Sequence, residues 1–434
     1  MMKSKQVKAI ACGLVMTAGL WLSGSASAEV LTIEADGNYQ MGDGMEENQT
    51  IAKERAKVDA MRRASDQAAV YIESSSEVSV GTLTKDDIRM LSSAILQVKS
   101  VEYHPVVVGD SIQYQCHIVV TADTDSVKGR IQNGRLELED SLRKYQEENE
   151  RLRKEMEELK QRYKTSTEEQ KQQLRKEEQK NNQEFMANQY FGQGYELNNK
   201  KDYYGAIEAY SKGLALKPDN ATVYNNMGVA YNDLGQYEKS IKMYEKAISI
   251  KPDFANAYNN MGFAYYNLGQ QEKAIRLYEK AISINPDYAE AYYNMGEAYN
   301  DLGQYEKSIR MYEKAISIKP DFAEAYYFIG FTYVYLDQYE KAIRPLEKSI
   351  SIKPDNADAH YLLGSAYVCL GQYEKAIKMY EKAISVKPDY AEAYYFMGRV
   401  YEELGQKKRA LKCYQSAYKL VPSDESYRKA ATGK

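Results

Sequence analysis

Asparagines recur at a regular spacing in this sequence, and their side chains could bind a ligand through hydrogen bonds. The pair Asn225-Asn226 is followed 34 residues later by Asn259-Asn260, and Asn294 comes a further 34 residues after Asn260. An asparagine amide offers both a hydrogen-bond donor and an acceptor, so a ladder of Asn226, Asn260 and Asn294 could pair with the backbone of an extended peptide, whatever its sequence. The pattern indicates recognition of a polypeptide.

Aromatic side chains take the equivalent positions further along the chain. They could supply pockets for apolar anchors of the same peptide. The alternative is that Phe328, Leu362 and Phe396 simply pack between neighbouring repeats. The aromatic residues assigned to the binding groove are Tyr293, Tyr327, Tyr361, Tyr395, Phe263 and Phe331.

No arrangement of residues indicates an enzyme. The three histidines, His104, His117 and His360, are scattered, and no Ser-His-acid or Cys-His set can be argued from their spacing. Nothing has metal-ligand spacing, and no glycine cluster has the strand-helix context of a phosphate loop. His360 replaces a tyrosine of the repeat and is predicted to be a packed core residue. We therefore predict no catalytic residues, no metal and no cofactor.

An internal repeat sets the spacing of these residues. Seven copies of 34 residues tile residues 187–424 without a gap, a period that is typical of a solenoid. In the copy 221–254, core positions at i, i+3, i+4 and i+7 predict a helix, Gly235 ends it, and Pro252 ends a second helix. The copies begin at Ala187, Ala221, Ala255, Ala289, Ala323, Ala357 and Ala391 and are numbered 1 to 7.

The repeat resembles the tetratricopeptide repeat over residues 187–424. The resemblance implies a mainly α fold, a solenoid of seven helical hairpins whose concave face is lined by the first helix of each copy. Copy 5 departs from the pattern at Asp337, Pro345 and Leu346, and Pro345 is expected to disturb its second helix. The family positions fall in copy 4 on Tyr292, Met295, Gly296, Tyr299, Ser308, Tyr312, Ala315 and Pro320.

Charge on the groove side narrows the class of ligand. Members of this family that clamp acidic chaperone C-termini use lysines and arginines there, whereas this face offers Asp233, Glu297 and Asp301, with Arg399 as nearly the only base. A neutral or basic protein or peptide segment is therefore the expected partner. The chain also lacks the basic block that marks nucleic-acid binding, and its formal net charge is -4.

Residues 1–28 have the pattern of a secretory signal. Lys3, Lys5 and Lys8 precede an apolar run, and small residues at 26–28 could form a cleavage site. The run is too short for a convincing membrane span. We expect an exported protein of the periplasm or cell envelope.

Residues 29–125 are predicted to form a small α/β domain. A strand leads into a helix at 48–72, a short strand near Val78 and a second helix precede two strands at 101–108 and 112–121, and Pro105 places the first of these two at a sheet edge. The segments 52–78 and 86–107 resemble the N-terminal domain of the flagellar assembly protein T family. That resemblance implies an envelope setting.

Residues 126–186 are rich in charge and carry a heptad seam. Such a seam has little to bury unless another helix supplies the opposite half, so we predict self-association, with a dimer favoured and Asn149 fixing the register. The alternative is a lone charged helix acting as a spacer. The seam consists of Leu138, Leu142, Tyr145, Asn149, Leu152, Met156, Leu159 and Tyr163.

Two functions follow from this organisation. The first is an exported, non-enzymatic scaffold that binds a protein or peptide in the groove of its repeats and self-associates through the seam. The second is an envelope or flagellar-base assembly factor in which the N-terminal domain makes the specific contact and the repeats act as a spacer. The predicted divisions are a signal peptide at 1–28, an α/β domain at 29–125, a coiled-coil helix at 126–186, repeats at 187–424 and a C-terminal tail at 425–434.

Overall fold

The computed structural model describes residues 30–41, 49–75, 96–108, 111–123 and 140–432. The predicted signal, the strand near Val78, most of the second N-terminal helix and Leu138 lie outside these residues. The chain divides into two compact units, residues 1–222 (the N-terminal unit) and 223–434 (the C-terminal unit). Within the described ranges, no helix is both long and apolar enough to cross a bilayer.

The described residues form three strands and seventeen helices. The strands are β1 (Val30–Gln40), β2 (Gln97–Val108) and β3 (Ser111–Asp123). The first four helices are α1 (Gln49–Ser75), α2 (Asp140–Thr165), α3 (Glu168–Asn199) and α4 (Tyr203–Leu216). Copies 2 to 7 give α5 (Ala221–Asp233), α6 (Tyr237–Ile250), α7 (Ala255–Asn267), α8 (Gln271–Ile284), α9 (Ala289–Asp301), α10 (Tyr305–Ile318), α11 (Ala323–Tyr335), α12 (Tyr339–Ile352), α13 (Ala357–Cys369), α14 (Tyr373–Val386), α15 (Ala391–Glu403) and α16 (Lys407–Leu420), followed by α17 (Glu425–Thr432).

The N-terminal unit begins with a sheet covered by α1. The strands are antiparallel in the order β1-β3-β2, so Pro105 lies on an edge strand, where a missing N–H breaks no ladder. Alternate residues of β3 face the helix and pack against α1, which has an alanine at every fourth position of the contacting side. Gly37 of β1 lies so close that a Cβ there would be 2.2 Å from the backbone of Ala56. The small residues therefore bring helix and sheet into direct contact. The buried alanines of α1 are Ala52, Ala56, Ala60, Ala64 and Ala68.

The seam predicted for self-association is buried inside one chain. Helix α2 ends at Thr165, and α3 begins at Glu168 and runs back beside α2, so that Tyr145 packs on Phe191 with ring centroids 5.6 Å apart. The helix α3 thus supplies the opposite half of the seam, and the prediction that a second copy supplies it was wrong. Only the backbone of Leu142 is described. The buried seam residues are Tyr145, Leu152, Met156, Leu159 and Tyr163.

The reversal between α2 and α3 has a local cause. Thr167 caps α3 through a reciprocal pair: its hydroxyl accepts from the Gln170 backbone N–H, and its own N–H donates to the Gln170 side chain at 3.0 Å. A capping box starts a new helix, so the helix predicted for residues 126–186 is interrupted between Thr165 and Glu168. Asn149 is half-buried, and its side-chain oxygen has no hydrogen-bond partner among the described residues.

Arg55 of α1 connects the sheet and its covering helix to α3 through hydrogen bonds and a ring contact. Its Nη2 donates to the side-chain oxygens of Asn181 and Asn182 at 2.6 and 3.0 Å, and its guanidinium lies 4.3 Å from the centre of the Phe185 ring. The Arg55 side chain is 4% exposed. Since α3 continues into the first helix of copy 1, the sheet domain and the start of the repeats share one compact unit.

The C-terminal unit is a solenoid of helical hairpins built on one repeated contact. In copies 2, 3, 4, 6 and 7, a glycine of the first helix lies against the core tyrosine of the second, as in copy 2, where a Cβ on Gly228 would be 2.5 Å from the Tyr244 ring. Copy 5 keeps the geometry with Leu346, and its second helix runs unbroken through Pro345. Asp337 takes the turn position with φ +56°, where copies 2 to 4, 6 and 7 have glycine. Helix α17 covers the last copy by placing Tyr427 on Tyr395.

Candidate peptide-binding face

The predicted binding residues lie on the first helices of copies 2 to 7. We call the fifth, sixth and ninth residues of these copies the first-helix face; in copy 2 they are Asn225, Asn226 and Val229. Residues at i and i+4 project from the same side of a helix, and the 34-residue period brings this side of each copy beside that of the next. The face is therefore continuous from one copy to the next.

The asparagines form a chain of hydrogen bonds across three copies. The Asn294 amide donates to the oxygen of Asn259 at 3.0 Å, and the Asn260 amide donates to that of Asn225 at 3.1 Å. Within copies 2 and 3, the amide of the first asparagine points to the oxygen of the second at 3.4 Å. The amides thus link consecutive repeats to one another.

This geometry divides the asparagines into two classes. Asn225 and Asn259 are 7% and 6% exposed, and the Tyr288 hydroxyl also hydrogen-bonds Asn259, so these two belong to the core between copies. Asn226, Asn260 and Asn294 are half-buried. Each amide has two hydrogens and two lone pairs, so these three keep capacity for a ligand. Their pairing with a peptide backbone stays a prediction.

The tyrosines at the equivalent positions pack between copies. The Tyr293 ring lies 5.0 Å from that of Phe322, which ends the same copy, and 5.9 Å from that of Phe328, which belongs to the next copy. Tyr361 repeats the arrangement with Tyr390 and Phe396, at 5.2 and 6.0 Å. The packing role considered for Phe328 and Phe396 is therefore present, and Leu362 packs against the core of copies 5 to 7.

The remaining aromatic residues differ in how far they reach solvent. Tyr395 packs on Tyr427, and Tyr327 lies beside Phe331, with ring centroids 6.4 Å apart. Burial raises the pKa of Tyr327 to about 12, so its hydroxyl remains a donor at neutral pH. Phe263 is 41% exposed and Tyr335 is 61% exposed. These two are the aromatic side chains of the first helices that a ligand could reach most easily.

Carboxylates give the middle of the face its charge. Burial, together with the neighbouring Asp301, raises the pKa of Glu297, while the Tyr293 hydroxyl donates to its Oε1 at 3.1 Å. The Tyr266 hydroxyl of copy 3 donates to Asp301 of copy 4 at 2.7 Å. A cation placed beside these two carboxylates would favour their ionised forms. The sequence predicts the charge of this part of the face but not these two hydroxyl partners. The i, i+4 spacing of Tyr293 and Glu297 is the one local signal that indicates such a contact.

The histidines and cysteines do not assemble a reactive site. His117 bonds Asp36 at 2.8 Å on the sheet, whereas His360 lies in copy 6 and is 6% exposed, which confirms its predicted packing. Within the parts of the chain that the structure describes, no three metal-ligating side chains come together. Cys116 and Cys413 are buried, whereas Cys369 is exposed at the end of α13.

The fold and the face define a class of protein: an α-solenoid that presents amides, aromatic rings and carboxylates from successive first helices. The chain belongs to the tetratricopeptide repeat family, whose repeats are generally non-catalytic scaffolds for protein interaction. Models described as TPR repeat match residues 194–235, 230–269 and 364–405, and models described as tetratricopeptide repeat match residues 253–321 and 391–424. A model described as anaphase-promoting complex, cyclosome, subunit 3 matches residues 301–383.

Solved structures with similar repeats each match about half of the chain or less. The crystal structure of MamA is 33% identical, with a TM-score of 0.36, over 37% of this chain and 95% of that one. YrrB, described as a TPR protein with an unusual peptide-binding site, is 24% identical, with a TM-score of 0.40, over 43% and 96%. The C-terminal part of a TPR repeat-containing protein from Cytophaga hutchinsonii is 22% identical, with a TM-score of 0.48, over 55% and 98%. A search of curated proteins finds no match.

Proposed function

We propose that this chain is an exported, non-enzymatic scaffold that binds an extended, neutral or basic segment of another protein on its first-helix face. The observation that carries the proposal is the composition of that face in copies 3 and 4. Half-buried amides at Asn260 and Asn294 lie on the same helices as exposed Phe263 and the carboxylates of Glu297 and Asp301. Amides suit a peptide backbone, rings suit apolar side chains, and carboxylates suit a lysine or arginine.

Export to the periplasm or cell envelope belongs to the same proposal. Its support is the basic and apolar pattern of residues 1–28. Self-association is not assigned to the seam of α2, because α3 of the same chain buries those residues. The scaffold therefore acts through its repeats, and other surfaces would have to mediate any assembly of copies.

Site-specific photo-crosslinking tests the proposed face. A benzoylphenylalanine at Phe263 or at Tyr335 is expected to capture the partner in envelope preparations, and mass spectrometry identifies what is captured. The matched control is the same reagent at Ile250, which is 38% exposed but lies on a second helix. Capture of the same proteins in equal yield from Ile250 would refute the assignment.

Neutralising the two carboxylates tests the charge of the partner. The double variant Glu297→Gln and Asp301→Asn keeps the shape of the side chains, and we expect the crosslink from Phe263 to fall by about tenfold if a basic residue binds there. The control is Glu238→Gln with Glu245→Gln, which removes the same charge from an exposed part of α6. Equal losses in both variants would show that only overall charge matters.

The N-terminal domain carries a second candidate function. Strand β2 is an edge strand, and its Val107 and Val108 are 76% and 44% exposed. Exposed apolar side chains on a sheet edge are suited to pairing with another chain. In this case the protein would be an envelope or flagellar-base assembly factor, in keeping with the resemblance of residues 52–78 and 86–107 to flagellar assembly protein T. Crosslinks from Val107 that exceed those from Phe263 would favour it.

A further inference from the structure

A cavity opens between copies 5 and 6, on the side of the second helices. Its volume is about 380 Å³. Helix α13 contributes Leu363 and the Tyr367 ring to its floor, α12 contributes Ile350, and α14 contributes Met379. This volume falls within the range of small-molecule sites in proteins, about 300–1,000 Å³. None of these residues belongs to the first-helix face.

One residue of the cavity lining differs from its counterparts in the other copies. His360 occupies the fourth position of copy 6, where copies 2 to 5 and copy 7 have tyrosine. In copy 4 that tyrosine, Tyr292, packs against the same apolar cluster as Ile282 and Met311, which are the counterparts of Ile350 and Met379. The other lining residues of the two places are closely similar, so the smaller imidazole leaves more room here than a phenol would.

His360 lines this cavity with its imidazole ring. Its Nε2 is 3.0 Å from the carbonyl oxygen of Pro354, which can only accept, so Nε2 carries the proton and donates. Nδ1 is buried and has no hydrogen-bond partner among the described residues. The hydrogen bond to Pro354 therefore holds the ring in place, and the ring adds to the apolar part of the lining.

Lysines surround the opening of the cavity. Lys375, Lys378 and Lys382 of α14 line it, and the Lys375 ammonium lies 5.2 Å from the centre of the Tyr367 ring. The acidic residue in the lining, Glu347, accepts a hydrogen bond from the Tyr367 hydroxyl at 3.0 Å. Three positive charges against one negative charge favour an anion at the mouth.

We propose that the cavity between copies 5 and 6 binds a small amphiphilic anion, with its apolar body on Ile350, Leu363 and Met379 and its acidic group among the lysines. The ligand class is thus an aromatic or aliphatic carboxylate, sulfonate or phosphate ester. This site is independent of the peptide-binding face and would remain if that proposal failed.

Binding of 8-anilinonaphthalene-1-sulfonate to the full-length protein tests the site, because this probe combines apolar rings with a sulfonate. The variant His360→Tyr restores the residue of the other copies, so it should fold at least as stably as the parent. We expect its affinity for the probe to fall by about tenfold or more, since the tyrosine fills the cavity. The uncharged analogue N-phenyl-1-naphthylamine should bind the parent protein about tenfold more weakly than the sulfonate, because it cannot engage the lysines.

The location of binding is read from methionine methyl groups. In a sample labelled with ¹³C at the methionine methyls, the Met379 signal, assigned with Met379→Leu, is expected to shift when the sulfonate probe is added. Met311 is the matched control, because it holds the same position beside Tyr292 in copy 4. Unchanged affinity in His360→Tyr, or equal shifts at Met311 and Met379, would overturn the site. Equal binding of the uncharged analogue would overturn its preference for anions.

Discussion

Copies 2 and 3 and copies 5 to 7 hold neighbouring repeats together with different chemistry at the same backbone position. At the fifth residue of each copy, Asn225 and Asn259 hydrogen-bond to an amide of the next copy, whereas Tyr361 packs its ring on Phe396 of the next copy. The glycine-to-tyrosine contact inside the hairpins is shared by copies 2, 3, 6 and 7. The hairpin is therefore fixed by its own core, and the outer faces of the first helices are free to vary.

Copy 4 lies at the change from one chemistry to the other. It has Tyr293 at the fifth position and Asn294 at the sixth, so its ring packs on Phe328 of the following copy and its amide donates to Asn259 of the preceding copy. Glu297 lies one turn further along the same helix and accepts from Tyr293. If the proposed basic segment binds on this face, the carboxylate at this boundary fixes its register, because a basic side chain has one preferred place to bind.

The largest effect is expected when the ring contact is removed from the aromatic half. Tyr361→Ala deletes contacts with Tyr380, Tyr390 and Phe396, and we expect it to cost about 2–4 kcal/mol of local stability. In a solenoid each repeat is stabilised mainly by its neighbours, so the loss is expected as local unfolding of copies 6 and 7. Amide hydrogen exchange in α13 to α16 measures this local stability. Protection that stays unchanged in copies 6 and 7 would show that the rings do not couple the copies.

A smaller effect is expected when the amide link is cut in the other half. Asn259→Ala removes the acceptor of Asn294 and a partner of Tyr288, and leaving such buried groups unpaired costs about 1–3 kcal/mol. The matched control is Asn267→Ala on the same helix, since the exposed Asn267 amide donates only to its own helix, at the Phe263 carbonyl. Urea unfolding followed by circular dichroism measures both variants. Equal costs would mean that the amide chain does not couple the copies.

The smallest effect is expected from the carboxylate at the boundary. Burial raises the pKa of Glu297 above its ordinary value of 4.5, so the folded protein binds this proton more tightly than the unfolded chain. Stability attributable to Glu297 is therefore highest below that ordinary value and falls as the pH rises through the raised pKa. Glu297→Gln should stabilise the protein at pH 8 more than at pH 4, as measured by melting temperature. An equal change at both pH values would contradict the burial of this carboxylate.

The parts of the fold that were predicted correctly depend on local periodicity. The 34-residue period, the core stripes at helical spacing and the turn glycines predicted the hairpins, and the structure has them at the expected residues. The position of Pro105 likewise predicted an edge strand. In these cases the structural feature depends on residues that are close together in the chain, so one sequence is sufficient to predict it.

The partner of the heptad seam was predicted wrongly. The heptad pattern identified apolar residues that need a covering helix, but it could not say which helix. The structure assigns that role to α3, because a capping box at Thr167 and Gln170 allows the chain to reverse. The box was visible in the sequence, yet only the folded chain shows that Leu152 and Met156 find their contacts within the same molecule.

The hairpins, their number and the residue types on each face follow from the amino-acid sequence alone, because they depend on periods of a few residues and on one long repeat. Packing between the helices determines which of those residues already have partners. The side-chain oxygens of Asn225 and Asn259 accept from the next repeat, and His360 lines a cavity together with residues of the helices before and after its own. Such outcomes depend on distances between residues 35 or more positions apart, or on packing between neighbouring copies, and no local pattern encodes them.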